Sequence, residues 1–282
     1  MVQIITDSAA DFEPNEIEKH NIICIPLSIS FGNKVFRDNE NLTKSEFYEL
    51  LETSDEFPKT SQPSPMELEN YLKKFKADGD ECIVVTLSSA LSGTYQSALL
   101  VKNMTEFDSC YVIDSLNATA GQRILVEHAV KLRNERKSAK EIADILENLK
   151  KRVRLMGCVD TLEYLYKGGR LSKTAYTVGS MVNIKPIIRV SQEGKVEACS
   201  KALSTRQGIK AVTNDFLKLN VDTNYPIYIV YSHNRKNADI LAKNLAEKGF
   251  EIPEERIVNI GATIGAHVGK NACGFICIEK EN

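Results

Sequence analysis

The chain has 282 residues, 43% of them hydrophobic, enough for two ordinary domains that each bury a core. Its 36 Lys and Arg nearly balance 38 Asp and Glu, a formal charge of -2, which makes no electrostatic case for a nucleic-acid duplex or for a membrane surface bound by charge alone. No apolar run approaches the roughly 20 residues of a membrane span, and no basic-then-apolar leader is read at the start.

Short β-branched runs predict strands at residues 2–6, 22–31, 82–87 and 110–114. Helices lie between them. Thr43-Lys44-Ser45-Glu46 is a capping box ahead of Phe47, Leu50 and Leu51. Ser64-Pro65-Met66-Glu67 opens another helix, with Pro at its first position and Leu68, Tyr71, Leu72 and Phe75 at helical spacing. This alternation predicts an α/β fold whose N-terminal half is a mostly parallel sheet with helices on both faces and a ligand crevice beyond the carboxyl ends of its strands. A charged helical stretch at 138–152, with Ile142, Ile145, Leu146 and Leu149 on one face, is a natural exit from the first domain. The division is therefore placed at 1–153 and 154–282. Strands at 184–190, 196–199, 227–231, 256–260 and 274–279, with helices at 204–219 and 235–248, make the second half another α/β unit.

Seven cysteines, Cys24, Cys82, Cys110, Cys158, Cys199, Cys273 and Cys277, lie scattered in apolar, strand-like surroundings. They read as buried free thiols suited to a reducing cytoplasm, and Cys273-Gly274-Phe275-Ile276-Cys277 reads as two core thiols, not a zinc site.

Three hydroxyl-rich loops fall where an α/β crevice would open: Thr6 to Asp11, Lys59 to Ser64, and Ser88 to Thr94. Such residues are ordinarily helix N-caps. Three on one edge would also form a pocket of hydroxyls and backbone N–H groups suited to a carboxylate. Lys167-Gly168-Gly169-Arg170-Leu171-Ser172 reads equally as a helix end with a solvated Arg or as a tight turn presenting a forked cation to an anion. His267, between Gly265 and Gly269, is one of only four histidines; a lone His is more often structural than functional. The nucleophile-elbow, P-loop, dinucleotide and HExxH signatures are all missing, which lowers the odds of hydrolase, nucleotide or metal chemistry.

Taken in order, Thr6-Asp7-Ser8, Lys59-Thr60-Ser61-Gln62-Pro63-Ser64, Ser89-x-x-Ser92-Gly93-Thr94-Tyr95-Gln96-Ser97-Ala98, Leu165-x-Lys167-Gly168-Gly169-Arg170-Leu171-Ser172, Lys185-Pro186 and His267 with Gly269 resemble the DegV family. The resemblance implies two α/β domains with one fatty acid in a buried tunnel, its carboxyl group near the domain interface. It also implies a carrier and not an enzyme: relatives serve as binding subunits of bacterial fatty acid kinase, present the acid to a separate ATP-using subunit and carry the acyl-phosphate away. The expected partners are thus a long-chain fatty acid and a kinase subunit, with only transient membrane contact, no metal and no cofactor besides the lipid. Carried over by motif, Thr60 and Ser61, together with Ser92 and the adjoining Gly93, would hold the carboxyl group. His267 would join them, and Arg170 would lie near the head group. An ionised carboxylate in a dry crevice needs several donors, so a protonated His267 is expected there. Two departures stand out: His267-Val268-Gly269 where relatives often have His-Gly-Pro-Gly, and Arg206, several residues beyond the position where many carry an Arg. Competing readings are an acyl hydrolase with Ser92 as nucleophile and His267 as base, and a binder of another lipid-like anion such as an isoprenoid acid.

Overall fold

The computed structural model describes residues 1–174, 176 and 184–281. Its strands in chain order are β1 (Val2–Asp7), β2 (Ile23–Ile25), β3 (Ser28–Phe31), β4 (Lys34–Arg37), β5 (Lys59–Ser61), β6 (Glu81–Thr86), β7 (Cys110–Asp114), β8 (Val153–Cys158), β9 (Lys185–Val190), β10 (Val196–Ala202), β11 (Tyr228–Tyr231), β12 (Ile257–Asn259) and β13 (Cys273–Ile278). The helices used below are α1 (Pro14–His20), α2 (Lys44–Thr53), α3 (Pro65–Asp78), α4 (Thr94–Thr105), α5 (Ala120–Asn134), α6 (Ala139–Leu149), α7 (Glu163–Lys167), α8 (Thr205–Phe216), α9 (Lys236–Ala246) and α10 (Ala262–Val268).

The first sheet runs β2-β1-β6-β7 and every pairing is parallel. Successive side chains on a strand point to opposite faces, and here both faces are covered. Ile4, Ile83, Val85 and Ile113 meet α5 and α6 on one face, while Ile5, Cys82, Val84 and Cys110 meet α3 and α4 on the other. The run expected as one strand at 22–31 is two. Pro26 lacks the N–H that a ladder needs, so the chain leaves the parallel sheet after β2 and β3 joins a three-stranded antiparallel sheet, β4-β3-β5.

The third sheet, β10-β9-β8-β13-β11-β12, is mixed, with β13 antiparallel to both of its neighbours. Its outer face packs Cys158, Ile187, Phe275 and Cys277 under α8 and α9. Its inner face turns Tyr228, Val230, Ile276 and Ile278 into the same core as α5. Late in the chain, α10 crosses back to the first half, where Ala262 and Ala266 pack on Ile29, Phe47 and Tyr48.

A buried polar joint accompanies that crossing. Asp11 accepts from the Gly261 N–H at 2.8 Å, Asp38 from the Thr263 N–H and hydroxyl, and the Lys44 ammonium donates to the Asn259 carbonyl at 2.9 Å. All seven cysteines are free thiols; five are buried, but Cys199 is exposed because β10 is the edge strand of its sheet. Among the described residues no helix is long and apolar enough to cross a membrane.

Candidate functional site

A partly open cavity lies between the carboxyl ends of the first sheet and the inner face of the third. It offers about 90 Å³ to the centres of water-sized spheres. A water needs roughly 10–15 Å³ on that measure, so the space is several waters long, yet its walls offer them few partners. Leu27, Leu87 and Leu91 come from the first half, and Leu155, Val159, Ile188, Val190, Val196 and Val230 from the second. Such a lining suits an alkyl chain.

Polar side chains also line it. Thr60 and Ser61 lie on β5, held in register by pairing with β3. Ser92 follows β6 in a loop pinned where its N–H donates to the Ser88 carbonyl; its hydroxyl meets that of Thr94 at 2.8 Å. Arg170 leaves α7 through Gly169, whose φ of 75° is the left-handed conformation that favours glycine. The guanidinium then donates to the Leu91 carbonyl at 2.9 Å, across to the first half, and to the Gly168 carbonyl at 2.5 Å. His267 comes from α10, with Nε2 2.8 Å from the Thr60 hydroxyl.

The structure therefore brings Thr60, Ser61, Ser92, Arg170 and His267 to one cavity from four separate segments. Gly93 is not on the wall; a Cβ there would fall 2.6 Å from Gln62 Oε1, so this glycine lets Gln62 pack against the start of α4. Arg206 stands exposed at the start of α8, away from the lining.

Two expectations are corrected. His267 is not protonated at neutral pH: burial, with the Arg170 charge nearby, pushes its pKa down to about 3. The first hydroxyl-rich loop also misses the cavity, since its polar groups are consumed by the fold. Asp7 accepts from the Ala9 and Leu87 N–H groups, and the Ser8 hydroxyl accepts from the Leu27 N–H. Thr119 and Thr263, which the sequence did not single out, line the cavity in its stead, with their hydroxyls donating to Asp11 and Asp38. Thr119 had a usable signal: it ends the polar loop Ser115 to Thr119 just after β7, where the other site loops also sit relative to their strands.

Ser92 and His267 are bonded to Thr94 and Thr60, and no hydrogen bond joins them to each other, so they do not form a nucleophile–base pair in this state. Among the described residues no cluster of His, Cys, Asp or Glu could hold a metal. What the arrangement offers is an apolar cavity with hydroxyl, imidazole and guanidinium groups for an anionic head.

The chain is similar to known proteins along nearly its whole length. The family model described as "Uncharacterised protein, DegV family" matches residues 1–280. A DegV domain-containing protein of Clostridium acetobutylicum is 32% identical over 279 residues, 99% of each chain. Among solved structures, a fatty acid binding DegV family protein of Streptococcus agalactiae superposes with a TM-score of 0.90 at 27% identity, covering 100% of this chain and 99% of that one. A stearic acid-binding protein of Eubacterium ventriosum gives 0.88 at 25% identity, covering 99% of both.

Proposed function

The chain belongs to the DegV family, and on that premise we propose that it holds one long-chain fatty acid in the cavity and presents its carboxyl group to a separate fatty acid kinase subunit, carrying the acyl-phosphate product. Thr60, Ser61 and Ser92 hydrogen-bond the carboxyl group in this reading, His267 joins that network through Thr60, and Arg170 lies beside it. The protein itself does no phosphoryl chemistry. The observation that carries the reading is an apolar cavity, built by both halves, that also gathers these polar groups. Ser61 and Gln62 are exposed, which supports a head group within reach of a partner. Relatives of the same fold that are described as fatty acid binding support the ligand class.

The energetics are sufficient. A sixteen-carbon chain gains roughly 12 kcal/mol at about 0.8 kcal/mol per buried methylene. Ordering the chain and losing its translational freedom remove several of those, leaving about -8 to -12 kcal/mol, micromolar to nanomolar affinity. Native mass spectrometry of the purified protein, followed by extraction, tests the reading. One stoichiometric fatty acid is expected; a protein that is empty and stays empty after incubation with palmitate would overturn it.

A further inference from the structure

Two glycines precede Arg170, and they are there for different reasons. Gly169 has the positive φ of a left-handed turn, whereas Gly168 has an ordinary helical φ of -73°, which any residue adopts. Nothing in its backbone calls for glycine. Its neighbours do: a Cβ on Gly168 would lie 2.2 Å from Nδ1 and 2.8 Å from Cε1 of the His267 ring, and 2.9 Å from the Tyr164 carbonyl oxygen. The imidazole thus rests against the bare Cα of Gly168. Arg170 ties down the same residue, donating to the Gly168 carbonyl at 2.5 Å.

This packing decides which ring nitrogen is protonated. Nδ1 is buried without a hydrogen-bond partner, while Nε2 meets the Thr60 hydroxyl at 2.8 Å. The ring is neutral, so one nitrogen carries hydrogen and the other a lone pair. An orphaned buried N–H is rarer in proteins than an under-satisfied acceptor, so Nδ1 carries the lone pair and Nε2 the hydrogen.

We propose that Gly168 is a positioning residue that fixes His267 as its Nε2–H tautomer, so that the imidazole donates to Thr60 and the Thr60 hydroxyl is left to donate its own proton to the bound head group. Hydrogen bonds then run one way, from Nε2–H to Thr60 Oγ1 and from the Thr60 hydroxyl to the ligand. The site is therefore set to receive an acceptor, such as an ionised carboxylate. This rests on the proposed ligand reading only for the identity of the anion; the tautomer is a property of the chain itself.

The test is long-range proton–nitrogen correlation of the imidazoles in 15N-labelled protein at pH 7, with His267 assigned by loss of its signals in His267→Gln, alongside palmitate titration. Wild type is expected to show a protonated Nε2 and a bare Nδ1. Gly168→Ala should change that signature and weaken palmitate binding by about tenfold, the loss of one charge-assisted hydrogen bond. Thr60→Val should weaken palmitate similarly, and Thr60→Ser should restore it. A protonated Nδ1 in wild type overturns the proposal, as does a folded Gly168→Ala protein with the wild-type signature and affinity. If Gly168→Ala does not fold, the wild-type tautomer and the Val/Ser pair at position 60 decide. Wild type that shows the expected tautomer but takes up no palmitate upholds the positioning role and overturns the fatty acid reading instead.

Discussion

Ser92 and Thr60 each begin with a hydroxyl already engaged, at 2.8 Å from Thr94 and from His267. Their orientation is set before any ligand arrives, which is what recognition of a head group requires. Removing one hydroxyl forfeits about 1–2 kcal/mol, small beside the roughly 12 kcal/mol gross gain from burying the tail. Ser92→Ala or Thr60→Ala should therefore cut phosphorylation by a cognate kinase at least several-fold while mass spectrometry still finds one lipid per chain. A folded variant that came through purification empty would show that the head group, not the tail, sets retention. Arg170→Ala should impair acyl-phosphate formation and also loosen the loop bearing Ser92, because the Leu91 carbonyl loses its donor; an unchanged rate with a cognate kinase would remove Arg170 from the scheme. These residues could be picked out in the sequence because chemistry restricts them: hydroxyls after strands, a cation after two glycines, a histidine between glycines. Thr263 could not, since a threonine in a short helix carries no mark until the fold brings it to a cavity 200 residues away from Thr60 in sequence.

At the level of elements, local rules served where the signal was local. The capping box expected at Thr43 with Glu46 is formed, the structure adds another at Ser138 with Glu141, and Pro26 marks the break between β2 and β3 that periodicity alone ran through. The strands β4 and β5 escaped notice because they are only four and three residues long and none of their residues is fully buried; pairing with β3 holds them. The pairing of β8 with β13 depends on a feature that only the assembled sheet exposes. Gly157 and Gly274 are register partners, and a Cβ on Gly274 would meet the Met156 carbonyl oxygen at 2.4 Å and the Gly157 Cα at 2.9 Å. Both glycines also line the cavity. Gly274→Ala is expected to destabilise the protein by about 2–3 kcal/mol, within the range for strained core substitutions. Urea unfolding measures this, and a midpoint unchanged from wild type would show that the sheet yields at that point.

At the scale of the whole molecule, three sheets and a returning helix leave the halves joined through buried charge. We propose the division at residue 153/154, at the very start of β8, since β1 to β7 and β8 to β13 belong to separate sheets, while α10 and the segment leading into it recross to the first half. No periodicity announces such a crossing. In and beside the joint, Asp7 and Asp11 are fully buried, and burial raises both pKa values to about 6 from an ordinary 3.8; Asp38 is raised as well. The folded state therefore binds protons more tightly at these carboxyl groups than the unfolded chain does. Their protonated forms contribute stability that is complete below about pH 3.8 and is lost as pH rises through about 6. A shift of about two units corresponds to roughly 2–3 kcal/mol per group. Urea midpoints should fall between pH 4.5 and 6.5, against the trend set by paired surface carboxyl groups such as Asp80, whose pKa is lowered by the amino terminus. Asp11→Asn keeps an acceptor for the Gly261 N–H but cannot titrate, so it should flatten the slope across that window. A wild-type slope retained in Asp11→Asn would mean that this carboxyl group keeps its ordinary affinity for protons, and that the joint between the halves is charged throughout.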